Sequence, residues 1–205
     1  MPRRADPAAL DIGAIHMAAT IHSAPVPGLG ASVVTIGAFD GVHMGHQALI
    51  RSVIAAGRTQ GLPVVAWTFD PPPKVFFGRA PLLMCAQEKV ARIASLGVDH
   101  VILSHFDGAF RARSAESFMD DLAAMNAAEV WVGDDFRFGA MQRGDVDLLR
   151  SRFAVRLLTP VMCRKGQRIS SSRIRSHWER GEFHRVRELV GWEDFYVHPA
   201  WETGW

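Results

Sequence analysis

Apolar and polar positions along this chain follow two periods. Short β-branched runs stand at SVVTI (32–36), PVVAWTF (63–69), DHVILSH (99–105), EVWVG (129–133) and AVRLLTP (154–160), five segments that read as strands. Other stretches have helical spacing. Leu49, Ile50, Val53 and Ile54 share a face over 46–57; Val90, Ile93 and Leu96 do so over 87–97; Phe118, Leu122 and Met125 do so over 116–125. Strands recurring with helices between them require crossover connections. The pattern therefore predicts an α/β, Rossmann-like, doubly wound fold: a mostly parallel sheet of five or six strands with helices on both faces. After Pro160 a loop leads into two short helices, the second with Phe183, Val186, Leu189 and Val190 on its core face. Residues 1–31, rich in Ala, Pro and Gly, read as an arm or linker, 32–191 as the domain and 192–205 as a tail in which Trp192, Trp201 and Trp205 serve packing.

Composition narrows the function classes. With 205 residues, 48% hydrophobic and 21% charged, the chain can build a sizeable core, and it has no apolar run long enough for a membrane span. Lys plus Arg number 23 against 21 for Asp plus Glu, a net charge of +2 that calls for no polyanionic partner. Cys85 and Cys163 stand far apart in no metal-binding or disulfide spacing, which fits a reducing cytoplasm. No nucleic acid and no membrane are expected as partners, and the oligomeric state is not legible.

In doubly wound folds ligands sit beyond the carboxyl ends of the strands, where loops enter helix N-termini. The first such junction here is GAFDGVHMGHQ, residues 37–47. Gly37, Gly41 and Gly45 let backbone approach a ligand closely, and His43 and His46, three apart, can face one point at the mouth of the following helix, a place suited to a phosphate. Neither a dinucleotide fingerprint nor a Walker loop is present. ISSSRIR, residues 169–175, offers the hydroxyls of Ser171 and Ser172 and the guanidinium of Arg175; it also reads as a serine N-cap followed by a solvated basic helix. FDPPPKVFF, residues 69–77, is a proline-stiffened connection whose Phe76 and Phe77 either flank a planar ligand or fill core. In VGDDFRFG, Asp134 and Asp135 read as capping a turn while Phe136 and Phe138 fill core.

The loop 37–47 resembles the signature of the adenylyltransferase (FAD synthetase) module of bacterial bifunctional riboflavin kinase/FAD synthetases, in the HxGH nucleotidyltransferase superfamily. The resemblance extends in order through TFDPPPKVFF, QEKVARIASLGVDHVI, VGDDFRFG, RGD at 143–145 and ISSSRIR. It implies ATP plus FMN giving FAD and pyrophosphate, with magnesium. It implies catalytic roles for His43, His46, Ser171, Ser172 and Arg175, with the histidines as neutral donors to the ATP phosphates and Arg175 as a fork for the β- and γ-phosphates. ATP contacts fall on Gly37, Phe39, Asp40, Gly41, Gly45 and Asp135, and flavin contacts on Phe69, Pro72, Phe76, Phe136 and Arg137. Asp40 either bonds the glycine loop or orients magnesium through water, and no protein residue is assigned as a metal ligand. Where the bifunctional enzymes continue into a kinase barrel, this sequence reads LVGWEDFY and carries no Pro-Thr-Ala-Asn motif. The expectation is an FMN adenylyltransferase without riboflavin kinase activity. The alternative is an altered paralogue, either a transferase with another acceptor or a flavin or nucleotide sensor.

Overall fold

A computed structural model describes residues 19–26 and 28–195. Six parallel strands form one sheet: β1 (Thr20–His22), β2 (Ser32–Ile36), β3 (Val64–Asp70), β4 (His100–His105), β5 (Ala127–Gly133) and β6 (Ala154–Leu158). Their order is β1-β4-β3-β2-β5-β6. The chain winds outward from β2 through β3 to β4, then returns to place β5 on the other side of β2. A crevice therefore opens beyond the carboxyl ends of β2 and β5, where the winding reverses.

Alternation along each strand separates two cores. Val33, Val64, Ala66 and Val101 face α1 (Met44–Gln60) and α3 (Ala86–Ser95), which contribute Ile50, Val53 and Ile93. Val34, Val65, Trp67, Ile102 and Val130 face the other way, toward Phe118, Met119 and Leu122 of α5 (Ala115–Ala124). Every residue of β2 is buried, as expected of a central parallel strand covered on both faces. Short helices α2 (Pro73–Phe76), α4 (Gly108–Ala112) and α6 (Val146–Arg150) fill connections that the apolar pattern does not mark.

A third cluster lies under α7 (Ser171–Glu179) and α8 (Phe183–Val190), where Ile174, Val186, Leu189 and Val190 meet Leu83 and Ile169. Phe183 is an exception to its predicted face: it is 49% exposed and packs edge-on against Trp178, centroids 4.7 Å apart. As the first residue of α8 it overhangs the turn from α7 instead of reaching the core.

Two segments outside the predicted 32–191 domain join it. Thr20–His22, within the stretch read as an arm, pair with His100–Ile102 of β4 and make the sixth strand. Trp192 and Phe195 pack on the core, and the Trp192 indole donates to the Val42 carbonyl at 2.9 Å. Trp201 and Trp205 lie outside the described residues.

Candidate active site

The loop from β2 to α1 holds three residues in the left-handed region, Phe39 (φ 46°), Gly41 (φ 81°) and Val42 (φ 34°). For a β-branched residue such as Val42 that conformation costs about 1–3 kcal/mol and persists only where neighbours over-determine it. They do so here. The Val42 carbonyl accepts from Gln47 Nε2 at 2.9 Å and from Trp192 Nε1 at 2.9 Å, and Phe39 and Val42 are buried.

His43 is the N-cap of α1, its Nδ1 accepting from the His46 amide at 3.3 Å. The imidazoles of His43 and His46 stack with centroids 3.6 Å apart, and Phe39 meets His46 edge-on at 5.3 Å. Burial, reinforced by the positive charges of Arg168 and Arg175, brings the His43 pKa down to about 3. Burial, then His43 and Lys89, holds His46 well below the ordinary histidine value. Both rings are therefore neutral at pH 7. Because Nδ1 of His43 is an acceptor, its single ring proton is on Nε2, which makes Nε2 the donor. Nδ1 of His46 is buried without a hydrogen-bond partner.

The second motif lies against this loop. Ser171 donates its hydroxyl to the Asp40 carbonyl at 2.9 Å, and a Cβ placed on Gly45 would sit 3.6 Å from the Ile169 carbonyl. Asp40 accepts from the Leu83 amide at 3.2 and 3.3 Å and pairs with the Arg175 guanidinium, which also donates to the Pro81 carbonyl at 2.8 Å. Asp40 and Arg175 are 3% and 6% exposed, so this is a buried ion pair. Burial raises the Asp40 carboxyl, and Arg175 and Lys89 oppose that rise. Arg175 is thus engaged by Asp40 and Pro81, and the Asp40 carboxylate bonds Leu83 and Arg175, outside the glycine loop itself. Ser170 caps α7 by accepting from the Arg173 amide at 3.3 Å. The N-termini of α1 and α7, two sources of positive potential, are held together by Asp40.

Two cavities share a wall of Pro73, Phe77, Arg79 and Gln142, and α7 lines one of them. One, about 380 Å³, is lined by Lys74, Ser172, Arg175 and Ser176. The other, about 360 Å³, is aromatic, with Phe69, Phe77, Phe106, Phe110 and Phe136 in its wall and Arg137 beside them. Of the residues predicted to meet a flavin, Phe69, Phe136 and Arg137 line it. Pro72 and Phe76 do not; the neighbours Pro73 and Phe77 take those places, because the short helix α2 rotates Phe76 onto Phe106 and Phe77. His43 and His46 line neither cavity. Asp135, exposed, lies with Asp134 against Arg168, whose guanidinium is 3.3 Å and 3.1 Å from their carboxylates. Phe106 and Phe110 are not legible from motifs; the signal for Phe106 is its position one residue past β4, on the same sheet edge.

These features have relatives. The sequence model of FAD synthetase matches residues 28–173. A Geobacillus thermodenitrificans relative, whose name joins riboflavin kinase to FMN adenylyltransferase, is 49% identical over 164 residues, covering 80% of this chain and 92% of its own. An Escherichia coli bifunctional riboflavin kinase/FMN adenylyltransferase is 40% identical over 70% of this chain, which spans about half (49%) of that relative. The described residues also match a crystal structure of a Streptococcus pneumoniae chain described as a macrolide-efflux protein, with a TM-score of 0.71 and 29% identity, over 84% of this chain and 71% of that one. Among the described residues no helix is long and apolar enough to cross a membrane. With the family model spanning most of the chain and a relative at 49% identity, this chain belongs to the FAD synthetase family.

Proposed function

We propose that this chain is an FMN adenylyltransferase that moves AMP from ATP to FMN, giving FAD and pyrophosphate. The observation that carries the reading is a polar cavity lined by the first turns of α7, sharing a wall with an aromatic cavity, while α7 is tied through Asp40 to the loop that opens α1. A flat ring system with a phosphate on a flexible arm matches a greasy slot adjoining a polar one.

An oxygen of the FMN phosphate attacks the ATP α-phosphorus. The bond from that phosphorus to the β-bridging oxygen breaks, and pyrophosphate leaves with the electron pair. No protein nucleophile is needed, so catalysis consists of aligning two anions and offsetting the charge that develops between them. In this reading His43, through Nε2–H, and His46 donate to the phosphates. Because both imidazoles are neutral, donation requires no prior proton uptake. The backbone of Gly37, Phe39, Asp40, Gly41 and Gly45 approaches ATP, with Asp135 at its edge. Ser172 faces the polar cavity, while Ser171 and Arg175 keep α7 against the loop through Asp40. Phe69, Phe77 and Phe136 enclose the isoalloxazine, with Arg137 at the rim.

Magnesium is expected with ATP, held chiefly by the nucleotide's phosphates and water. No group of three or more His, Cys, Asp or Glu among the described residues can hold a metal, and the Asp40 carboxylate is engaged by Leu83 and Arg175. We place the chain in the cytoplasm, where the free thiols of Cys85 and Cys163 stay reduced. The test is chromatography of flavins after incubation with FMN, ATP and magnesium, with pyrophosphate followed in parallel. FAD is the expected product, and pyrophosphate released equally without FMN would point to another acceptor. One positioned donor is worth about 2.7–4 kcal/mol, so His46→Ala should lose at least about a hundredfold in turnover with little change in FMN affinity. Equal FAD production by the variant defeats the role of His46.

A further inference from the structure

Lys89 is fully buried on α3, an unusual place for an ammonium. It is held by two backbone carbonyls. Nζ donates to the Phe69 carbonyl at 2.5 Å and to the Ala38 carbonyl at 3.5 Å, and Ala38 also accepts from the Thr68 hydroxyl at 3.1 Å. Ala38 stands in the loop two residues before Asp40, and Phe69 lies at the end of β3 with its ring in the wall of the aromatic cavity. One charged group thus joins the segment read as the ATP loop to the strand end read as the flavin wall. Burying an ion costs several kcal/mol after relaxation, and a methionine would fill the same space at no such cost. Two carbonyl bonds to fixed backbone do not by themselves require a charge. A positive charge does act on what surrounds it: Asp40 from the loop, Asp70 from the end of β3, Cys85 before α3 and His46 from α1.

We propose that Lys89 is a positioning residue of the adenylyl transfer, setting the ATP loop and the flavin-bearing end of β3 at their reactive separation and adding positive potential beneath the loop. The inference rests on the FMN adenylyltransferase reading. It predicts that misalignment lowers turnover while leaving each substrate's own contacts in place, since a displacement of about 1 Å at a reacting centre costs on the order of a hundredfold. Burial, with Asp40, Asp70 and Cys85 acting in the opposite sense, also brings the Lys89 pKa down to about 8. The charge, and with it turnover, should be lost as pH rises through that value.

The experiment compares wild type and Lys89→Met for kcat, both KM values, the pH profile from 7 to 9.5 and the thermal melt. Expected is a cooperative melt for the variant, KM values within about threefold, a kcat at least thirtyfold lower, and an alkaline limb near pH 8 that only wild type shows. A folded Lys89→Met with wild-type kcat overturns the proposal, as does a loss confined to KM. Where the variant does not fold, the wild-type profile decides, and a kcat flat to pH 9.5 overturns it. Wild type that forms no FAD at all defeats the parent reading instead, so the two failures are distinguishable.

Discussion

The buried pair between Asp40 and Arg175 is the joint through which α7 holds the loop, and it can be tested by a double-mutant cycle. Removing one partner of such a pair leaves an uncompensated buried charge, which costs about 3–5 kcal/mol. Arg175→Met would leave the buried Asp40 with Lys89 and the Leu83 and Met84 amides, and Asp40→Leu would leave the guanidinium with the Pro81 carbonyl and the more distant Glu179. Replacing both removes both charges and leaves the Leu83 amide and the Pro81 carbonyl without these partners, about 1–3 kcal/mol each. Each single variant should therefore lose about 3–5 kcal/mol, and the double about 2–6, where independent effects would sum to about 6–10. For a chain of this size, 1 kcal/mol moves the melting temperature by about 2–4 °C, so each single variant should melt roughly 6–20 °C lower. Urea unfolding at pH 7.5, followed by tryptophan fluorescence and circular dichroism, reads all four proteins on one scale. Additive losses, or single variants within about 1 kcal/mol of wild type, refute the pair as a joint. The double variant, folded but without the joint, should form FAD at least tenfold more slowly.

Acid should weaken the fold through the stacked histidines. The folded-state pKa of His43 lies at about 3, below its ordinary 6.5, so as pH falls the unfolded chain takes up the proton first. The contribution is complete above about pH 6.5 and is lost on descending from there toward 3; at pH 5 the loss from His43 is about 2 kcal/mol, at about 1.36 kcal/mol per pH unit. His43→Asn, which keeps an N-cap, should flatten that slope by the same amount, and urea midpoints at pH 7 and 5 that move identically in both proteins refute it. In the aromatic cavity, Phe77→Ala removes a ring that is already 38% exposed, so folding should survive. FMN affinity should fall about tenfold, the loss of roughly 1.4 kcal/mol for one aromatic contact. Quenching of flavin fluorescence measures it, and an unchanged Kd would move the flavin out of this cavity.

Local pattern determined where the strands and long helices begin and which face of each is apolar. The run SVVTI is β2 residue for residue, and the faces of α1, α3 and α5 match their spacing, because burial follows a period that a few neighbouring residues express. The loop 37–47 is legible as a candidate phosphate site for a similar reason: its glycines, its histidine spacing and its place after a strand are all local. Strand β1, three residues long and on the sheet edge, carries too little pattern to mark it. Helices α4 and α6, five residues each, announce themselves only by their Asp107 and Asp145 caps. Tertiary structure alone decided the partners. Asp40 and Arg175 are 135 residues apart, Lys89 reaches one carbonyl in the loop after β2 and one on β3, and Phe106 and Phe110 join a wall with Phe69 and Phe136. Sequence spacing says nothing about such pairs, since charge and aromatic surface choose their neighbours only after the strand order has brought distant loop ends to the same edge of the sheet.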